Sequence, residues 1–234
     1  MEDPNPEASG FNNAASDARA IEIADQVMNA MGGRAAWDQT RYIKWNFFGA
    51  RKLLWDKYTG WVRIEDQRSD LKINVNINSE PLQGMVFKNG ALFTDNDSIA
   101  YYLDRGKRIW INDSYWLVMP YKLKDSGVTL SYIGQDTLLS GASAHKLKLS
   151  FDQVGVTPQN GYDVWVSDED TLVRQWAYYR NASDSVPMFI TPWNEYQNAG
   201  KIKLSGNRGE RQLTDIEVIE TINDQFFQSF DTGI

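Results

Sequence analysis

The side chains that most often carry chemistry are scarce in this chain of 234 residues. It contains no cysteine and a single histidine, His145. The absence of cysteine excludes disulfides, thiolate nucleophiles and iron–sulfur ligation, and one histidine excludes a metal site built from several histidines of one chain. We therefore expect no cofactor and no metal ion, and a function in binding and not in catalysis.

The remaining polar candidates are few and have ordinary structural interpretations. His145 has no nucleophile or orienting carboxylate marked by a motif, so we expect a structural role for it. Arg63 and Glu65 alternate with apolar residues on one strand, which favours ion pairing, because a paired-carboxylate site would need a second acid such as Asp56. The acidic run 168–170 lacks the glycine and distal glutamate of a calcium loop and indicates a hairpin turn.

A second group of polar residues lies within an aromatic stretch, Asn112-Asp113-Ser114-Tyr115-Trp116. Asp113 or Ser114 can cap a short helical turn that follows. The alternative interpretation is a lid that contacts a ligand, and the sequence leaves the two open.

Aromatic residues are the abundant feature of the chain, with 9 Trp, 11 Tyr and 10 Phe. They recur at alternate positions of strand-like runs, as in Tyr42–Phe48 and Leu172–Tyr179. Such a set fills a solid core or lines an apolar cavity, and both arrangements require apolar inward faces. The candidate ligand-binding residues of the cavity or lid are Trp45, Phe47, Trp55, Met85, Phe87, Trp116, Met119 and Trp176.

The periodicity of the chain predicts the elements that must position these residues. Apolar residues at helical spacing predict a helix over Asp17–Met31, which Gly32-Gly33 ends. Alternation then predicts strands, each with one apolar face. Their ranges are 41–49, 51–58, 61–66, 71–78, 84–88, 128–133, 136–139, 144–151, 162–167, 171–180, 200–205 and 212–221.

A helical insert interrupts the strands over Asp97–Tyr121, and its apolar side must be buried on the sheet. The predicted class is therefore mainly β (α+β). We expect a single large curved antiparallel sheet, or incomplete β-barrel, of about ten to twelve strands. An N-terminal helix and a helical lid complete it. The expected organisation is a disordered leader at 1–16, one domain at 17–222 and a tail at 223–234.

Charge and hydropathy limit the partners. The formal net charge is −7, which argues against nucleic acid because phosphate binding needs clustered lysine and arginine. No window approaches the roughly 18 consecutive apolar residues of a transmembrane helix. The polar residues 2–16 are typical both of a linker that follows a removed signal peptide and of a loose tail on a cytoplasmic protein.

Several long motifs resemble a family of uncharacterised bacterial exported proteins. They include Trp55-Asp56-Lys57-Tyr58-Thr59-Gly60, the stretch Ile109–Pro120, Gly155–Asn160 and Trp176–Ala182. The order of helix, meander, helical lid and returning hairpin is more distantly similar to the LolA/LolB-type lipoprotein-carrier fold. That resemblance implies an incomplete barrel with an apolar cavity for acyl chains, and a periplasmic or outer-membrane-associated location.

Three functions remain as hypotheses. The first is a non-enzymatic cell-envelope protein that binds a lipid or acylated ligand, such as an envelope lipoprotein, under a helical lid. The second is a carbohydrate-binding module with aromatic platforms, and the third is a hydrolase with an unidentified carboxylate pair. Buried tryptophans favour lipid, an exposed coplanar row favours sugar, and a hydrolase needs two carboxyls within roughly 5–10 Å.

Overall fold

The computed structural model describes residues 3–152 and 157–234. It confirms a mainly antiparallel β fold with an N-terminal helix and a long inserted helix. Its strands form two sheets, one of nine and one of five strands, where the sequence predicts a single curved sheet. Of the motifs quoted for the family resemblance, Gly155 and Val156 lie outside the described residues.

The helices are α1 (Ala18–Ala30), α2 (Arg34–Gln39) and α3 (Asn96–Val118). The strands are β1 (Tyr42–Phe47), β2 (Arg51–Asp56), β3 (Trp61–Asp66), β4 (Leu71–Asn76), β5 (Gln83–Lys88), β6 (Ala91–Leu92), β7 (Val128–Thr137), β8 (Ser143–Phe151), β9 (Gly161–Ser167), β10 (Val173–Tyr179), β11 (Phe189–Pro192), β12 (Asn194–Ala199), β13 (Ile202–Arg208) and β14 (Arg211–Ile219). The larger sheet has the order β12-β13-β14-β1-β2-β3-β4-β5-β6, and the smaller β11-β10-β9-β8-β7.

The chain divides into two compact units. The first comprises Met1–Trp37, Val118–Gln197 and Ile202–Glu210, and the second Asp38–Leu117, Asn198–Lys201 and Arg211–Ile234. The boundaries predicted at residues 16 and 222 stay predictions.

In the first unit, the segment before α1 follows the edge of the five-stranded sheet. The backbone N–H groups of Asn12 and Asp17 donate to the carbonyls of Val128 and Leu130, at 3.0 and 2.9 Å. Ser16 Oγ accepts from the Leu130 N–H at 3.0 Å. An exposed strand edge is a template for pairing with another chain, and this segment occupies backbone groups in the first half of β7, from Val128 to Tyr132.

The helix α1 and a buried tyrosine secure the rest of this unit. Ala20, Ile23, Ala24, Val27 and Met28 form the buried side of α1. Tyr121 stacks on Trp37 at 4.2 Å, and its hydroxyl donates to the carbonyls of Met31 and Lys203 at 2.9 Å. Burial raises the pKa of the Tyr121 hydroxyl, which therefore remains a donor at neutral pH.

The second unit contains the meander β1 to β6, in which the predicted alternation holds. Ile43 pairs with Trp55, Leu53 with Ile64, and Ile73 with Val86. These side chains share one face of the sheet, here called the apolar face. The opposite face carries a cross-strand row of Lys44, Leu54, Arg63, Asn74 and Met85, and is called the polar face.

Some elements differ from the predicted ones for local reasons. The two strands predicted at 128–133 and 136–139 are one strand, β7, with a bulge between Tyr132 and Gly134 that interrupts the alternation. The strand β11 has only four residues, and β12 is almost entirely polar, so alternation gives no indication of either. The helix α3 continues through Asn112–Ser114 without a break.

The turn after β2 depends on one buried carboxylate. Asp56 is 2% exposed and accepts from Arg41 Nη2 at 2.9 Å, from Thr59 Oγ1 at 2.8 Å and from the Tyr58 backbone N–H at 2.9 Å. Burial alone would raise the pKa of Asp56, but these hydrogen bonds outweigh it and lower the pKa below its ordinary value.

We expect Asp56→Asn to destabilise the protein by about 2 kcal/mol at pH 7, because a charged acceptor of several donors is lost. Since the folded-state pKa is lowered, the contribution of Asp56 is present above its unfolded value of about 3.9 and is lost as pH falls through the folded value. Urea unfolding at pH 7 and pH 3 measures this, and the two proteins should differ less at pH 3. Asp104→Asn, in the exposed pair with Arg108, is the control and should change stability by under about 0.5 kcal/mol.

Candidate ligand-binding face

The helix α3 covers the apolar face of the meander in the second unit. Trp110 of α3 meets Trp55 of β2 edge to face at 5.2 Å, and Trp116 meets Phe47 of β1 at 6.5 Å and Phe48 at 5.2 Å. Aromatic pairs at these distances and angles are attractive beyond their buried area. These contacts place α3 against β1, β2 and the residue that follows β1.

Two glycines allow the helix and the strands to come close together. A Cβ atom at Gly106 of α3 would lie 2.9 Å from Ile73 Cγ2. A Cβ atom at Gly84 of β5 would lie 2.7 Å from Leu103 Cδ2 and 2.0 Å from a backbone oxygen. The middle of α3 is therefore packed directly on β4 and β5.

Polar contacts hold α3 at the rim of the apolar face. Arg51 of β2 donates to both oxygens of Asp113, from Nε at 2.7 Å and from Nη2 at 2.9 Å. Lys88 Nζ donates to the Tyr102 hydroxyl at 2.8 Å. Each contact joins α3 to a different strand of the meander.

Asp113 is fully buried, at 0% exposure, while Arg51 retains 23% of its side-chain surface. Burial raises the pKa of Asp113, against the opposing effect of Arg51 and of the Asn112 amide. The ion pair with Arg51 thus stabilises the charged form of the Asp113 carboxylate inside the protein. Asp113 is an interior residue of α3, and not the helix cap that the sequence suggests.

The predicted ligand-binding residues fall into separate groups. Trp45, Phe47, Trp55 and Trp116 lie on the apolar face or on the helix that covers it. Met85 and Phe87 lie on the polar face, in register with Asn74 and Lys72. Met119 and Trp176 belong to the first unit.

Trp176 is part of a filled aromatic cluster in the first unit. It stacks on Tyr162 at 5.1 Å and meets Trp193 edge to face at 5.2 Å. Its indole N–H donates to Thr191 Oγ1 at 2.7 Å. The guanidinium of Arg208, which is 1% exposed, lies 3.4 Å from the centre of the Trp193 ring, and burial lowers its pKa to about 9.

The nine tryptophans have no exposed member. Seven are buried, with Trp45 and Trp193 at 0% exposure, and Trp61 and Trp110 are half-buried. None of the nine tryptophans therefore belongs to an exposed coplanar row of the kind that a sugar-binding platform requires. The indole N–H groups of Trp45 and Trp110 are also buried and have no hydrogen-bond acceptor among the described residues.

His145 lies at the rim of the five-stranded sheet, in a group of polar side chains. The Tyr132 hydroxyl is 3.0 Å from its Nδ1, and Asp168 Oδ1 is 3.6 Å from its Nε2. Ser143 Oγ donates to Asp168 at 2.6 Å and so is engaged by the carboxylate. The structural role expected for His145 stays a prediction.

Asp136 and Asp163 of the first unit lie on either side of Lys146 and are the next candidates for a carboxylate pair. Lys146 Nζ lies 3.0 Å from Asp163 Oδ2 and 3.7 Å from Asp136 Oδ2. The backbone N–H of Thr137 and the indole N–H of Trp165 lower the pKa of Asp136. A general acid requires the opposite shift, and the lysine between the two carboxylates neutralises part of their charge.

Among residues 3–152 and 157–234, no group of three or more His, Cys, Asp and Glu side chains is arranged to hold a metal ion. In the same part of the chain, no helix combines the length and apolar character needed to span a bilayer.

Sequence reasoning missed the two arginine contacts that organise the second unit. Arg63 pairs with Glu65 as expected, with Nη2 to Oε1 at 2.7 Å, but it also binds carbonyls of the C-terminal tail. The Arg51–Asp113 pair was not predicted. Its only indication in the sequence is the polar group Asn112-Asp113-Ser114 between aromatic and apolar residues of the helical insert.

Comparison with known proteins gives similarity to solved structures only. No protein-family model matches the chain, and no curated protein matches it. The crystal structure of a DUF1329 family protein from Desulfovibrio piger is similar over 89% of this chain and 96% of that chain, with 12% identity and a TM-score of 0.48. The crystal structure of MucB is similar over 92% of this chain and 64% of that chain, with 13% identity and a TM-score of 0.26. At these scores, neither similarity carries an argument about function.

We expect Arg51→Gln to destabilise the protein by about 3 kcal/mol at pH 7, because it leaves Asp113 buried and unpaired. Without Arg51 the pKa of Asp113 rises further. A carboxyl whose pKa is higher in the folded than in the unfolded state stabilises the fold at pH values below the unfolded-state pKa. That stabilisation is lost as pH rises through the folded-state pKa. The destabilisation caused by Arg51→Gln, measured by urea unfolding, should therefore be smaller at pH 4 than at pH 7.

The control for this prediction is Arg108→Gln, which removes the cation of the exposed pair with Asp104. Its effect should stay under about 0.5 kcal/mol at both pH values. An Arg51→Gln protein as stable as the control would contradict the role assigned to the pair.

Proposed function

We propose that this protein is a non-enzymatic, cell-envelope protein that binds a lipid or the acyl chain of an acylated ligand beneath α3. The observation that carries the proposal is the apolar face of the meander, which is covered by one helix and lined by buried tryptophans. When α3 moves away, a continuous apolar surface becomes available to a ligand of the same chemistry.

The contacts of α3 suit a helix that opens as a unit. The helix is joined to the strands by side-chain contacts, namely the rings of Trp110 and Trp116 and the polar contacts of Asp113 and Tyr102, and not by a ladder of backbone hydrogen bonds. Breaking the Arg51–Asp113 pair would release the part of α3 nearest Trp116. The ion pair therefore serves as a latch in this proposal.

The indole N–H groups of Trp45 and Trp110 favour a ligand that carries an oxygen. A buried donor without an acceptor costs about 1–3 kcal/mol, and an ester, amide or carboxyl oxygen would supply the acceptor. An acyl group combines such an oxygen with an apolar chain. The envelope location and the lipoprotein as partner come from the sequence resemblance and stay part of the proposal.

The test uses 11-(dansylamino)undecanoic acid as the probe, with energy transfer from tryptophan to the dansyl group as the readout. We expect saturable binding to the full chain. Trp110→Phe keeps the ring but removes the N–H, and should weaken binding about fivefold, which is the effect of one hydrogen bond of about 1 kcal/mol. Trp116→Asp introduces a charge under α3 and should weaken binding at least about tenfold.

Tyr101→Phe is the matched control, since Tyr101 lies on the outer side of α3 with 65% of its surface exposed. It should bind the probe like the unmodified protein. Circular dichroism must show that each variant is folded. A lack of saturable binding, or equal affinities for Trp110→Phe, Trp116→Asp and the control, would refute the proposal.

A further inference from the structure

The C-terminal tail, residues 223–234, lies on the polar face of the meander, opposite α3. Phe227 is 7% exposed and packs with Tyr42 and Leu54, and its ring lies 6.4 Å from that of Trp61. Phe230 lies 5.9 Å from Phe87 of β5. The tail thus places aromatic rings in two positions along the sheet.

The centre of this face is Arg63, whose side chain has no exposed surface. Its Nη1 donates to the carbonyls of Phe226 and Ser229, at 2.9 and 3.0 Å, and its Nη2 donates to the carbonyl of Thr232. The guanidinium also lies 5.2 Å from the centre of the Phe230 ring. One buried arginine therefore recognises the main chain of the tail at three points.

The tail is seated on the sheet as a ligand would be. Its described bonds to the sheet come from side chains, namely Arg63, Lys52 to the main-chain oxygen of Ile234 at 3.0 Å, and Asn74 to the Phe226 carbonyl at 3.5 Å. The backbone N–H groups of Phe226, Gln228 and Ser229 bond within the tail itself. Among the described residues, the backbone of the tail adds no strand to the sheet.

The surface around Arg63 and the tail are complementary in charge. On the polar face of the meander, the basic residues Lys44, Lys52, Arg63 and Lys72 outnumber the acids Asp56 and Glu65. The segment Asn223–Ile234 contains Asp224 and Asp231 and no lysine or arginine. The face thus contacts main-chain carbonyls and aromatic rings of the tail. Its excess of basic residues favours a segment of negative charge.

We propose that the polar face is a peptide-binding groove and that the tail occupies it as an intramolecular ligand. The partner is an acidic peptide segment of another protein with aromatic residues at the spacing of Phe226, Phe227 and Phe230. The carbonyl contacts of Arg63 supply affinity for any main chain, and the two ring positions supply selectivity. Because the tail is tethered, it competes at a high effective concentration.

The test keeps the full chain and weakens its own tail. Phe226→Ala/Phe230→Ala removes the two half-buried rings and retains the buried Phe227. The probe is a fluorescein-labelled peptide with the sequence of residues 223–234, and its binding is measured by anisotropy. We expect the double variant to bind the peptide at least about tenfold more tightly than the unmodified chain, since the competing tail is weakened.

Two further variants of the double variant test the groove itself. Adding Arg63→Gln should abolish peptide binding, and adding Phe87→Ala should weaken it at least about tenfold. A labelled peptide with alanine in place of Phe226 and Phe230 should not bind. Phe87→Ala decides the outcome if Arg63→Gln fails to fold.

The proposal is overturned by any of three results. The first is a double variant that loses its fold, because the tail would then be an integral part of the core. The second is a folded double variant that does not bind the labelled peptide. The third is binding that persists after the changes at Phe87 or Arg63, or that does not require the phenylalanines of the peptide.

Discussion

A guanidinium that is fully removed from solvent must be given acceptors, and this requirement determines what lies on the polar face of the meander. Arg63 is positioned at the centre of that face by its pairing with Leu54 and Asn74. Glu65 supplies one acceptor, and the remaining donors need carbonyls that the sheet does not provide, because its own are used in the ladder. The C-terminal tail supplies them, and with them the apolar cover of Tyr42 and Leu54.

The apolar face of the meander also needs a cover, because its side chains must be shielded from water. Its side chains are apolar and need cover, and α3 provides it through Trp110 and Trp116. The meander is therefore a sheet between two covers of different chemistry. One cover is a helix held by an ion pair at its rim, and the other is a chain segment held by main-chain hydrogen bonds to a buried cation. Both proposals concern the removal of a cover.

Local patterns were sufficient to predict much of this arrangement. The alternation of Ile43, Trp45 and Phe47 with polar residues predicts β1 and its apolar face, and the helical insert follows from its apolar spacing. What the patterns do not contain is the identity of contacts between distant segments. The bonds of Arg63 to Phe226 and Ser229 span 163 and 166 residues, and Arg51 to Asp113 spans 62. For the same reason the eight candidate ligand-binding residues fall on different faces of the meander and in both units.

The segment that follows the edge of β7 has a consequence for biosynthesis. Asn12 and its hydrogen-bond partner Thr129 are separated by 117 residues, so one side of this contact leaves the ribosome long before the other. At about 5–20 residues per second, the interval is on the order of ten seconds. During that time the segment before α1 has no β7 to bond with. Its own polarity or a chaperone must prevent it from associating with other nascent chains. The polar composition of the segment before α1 suits that interval as well as the folded state.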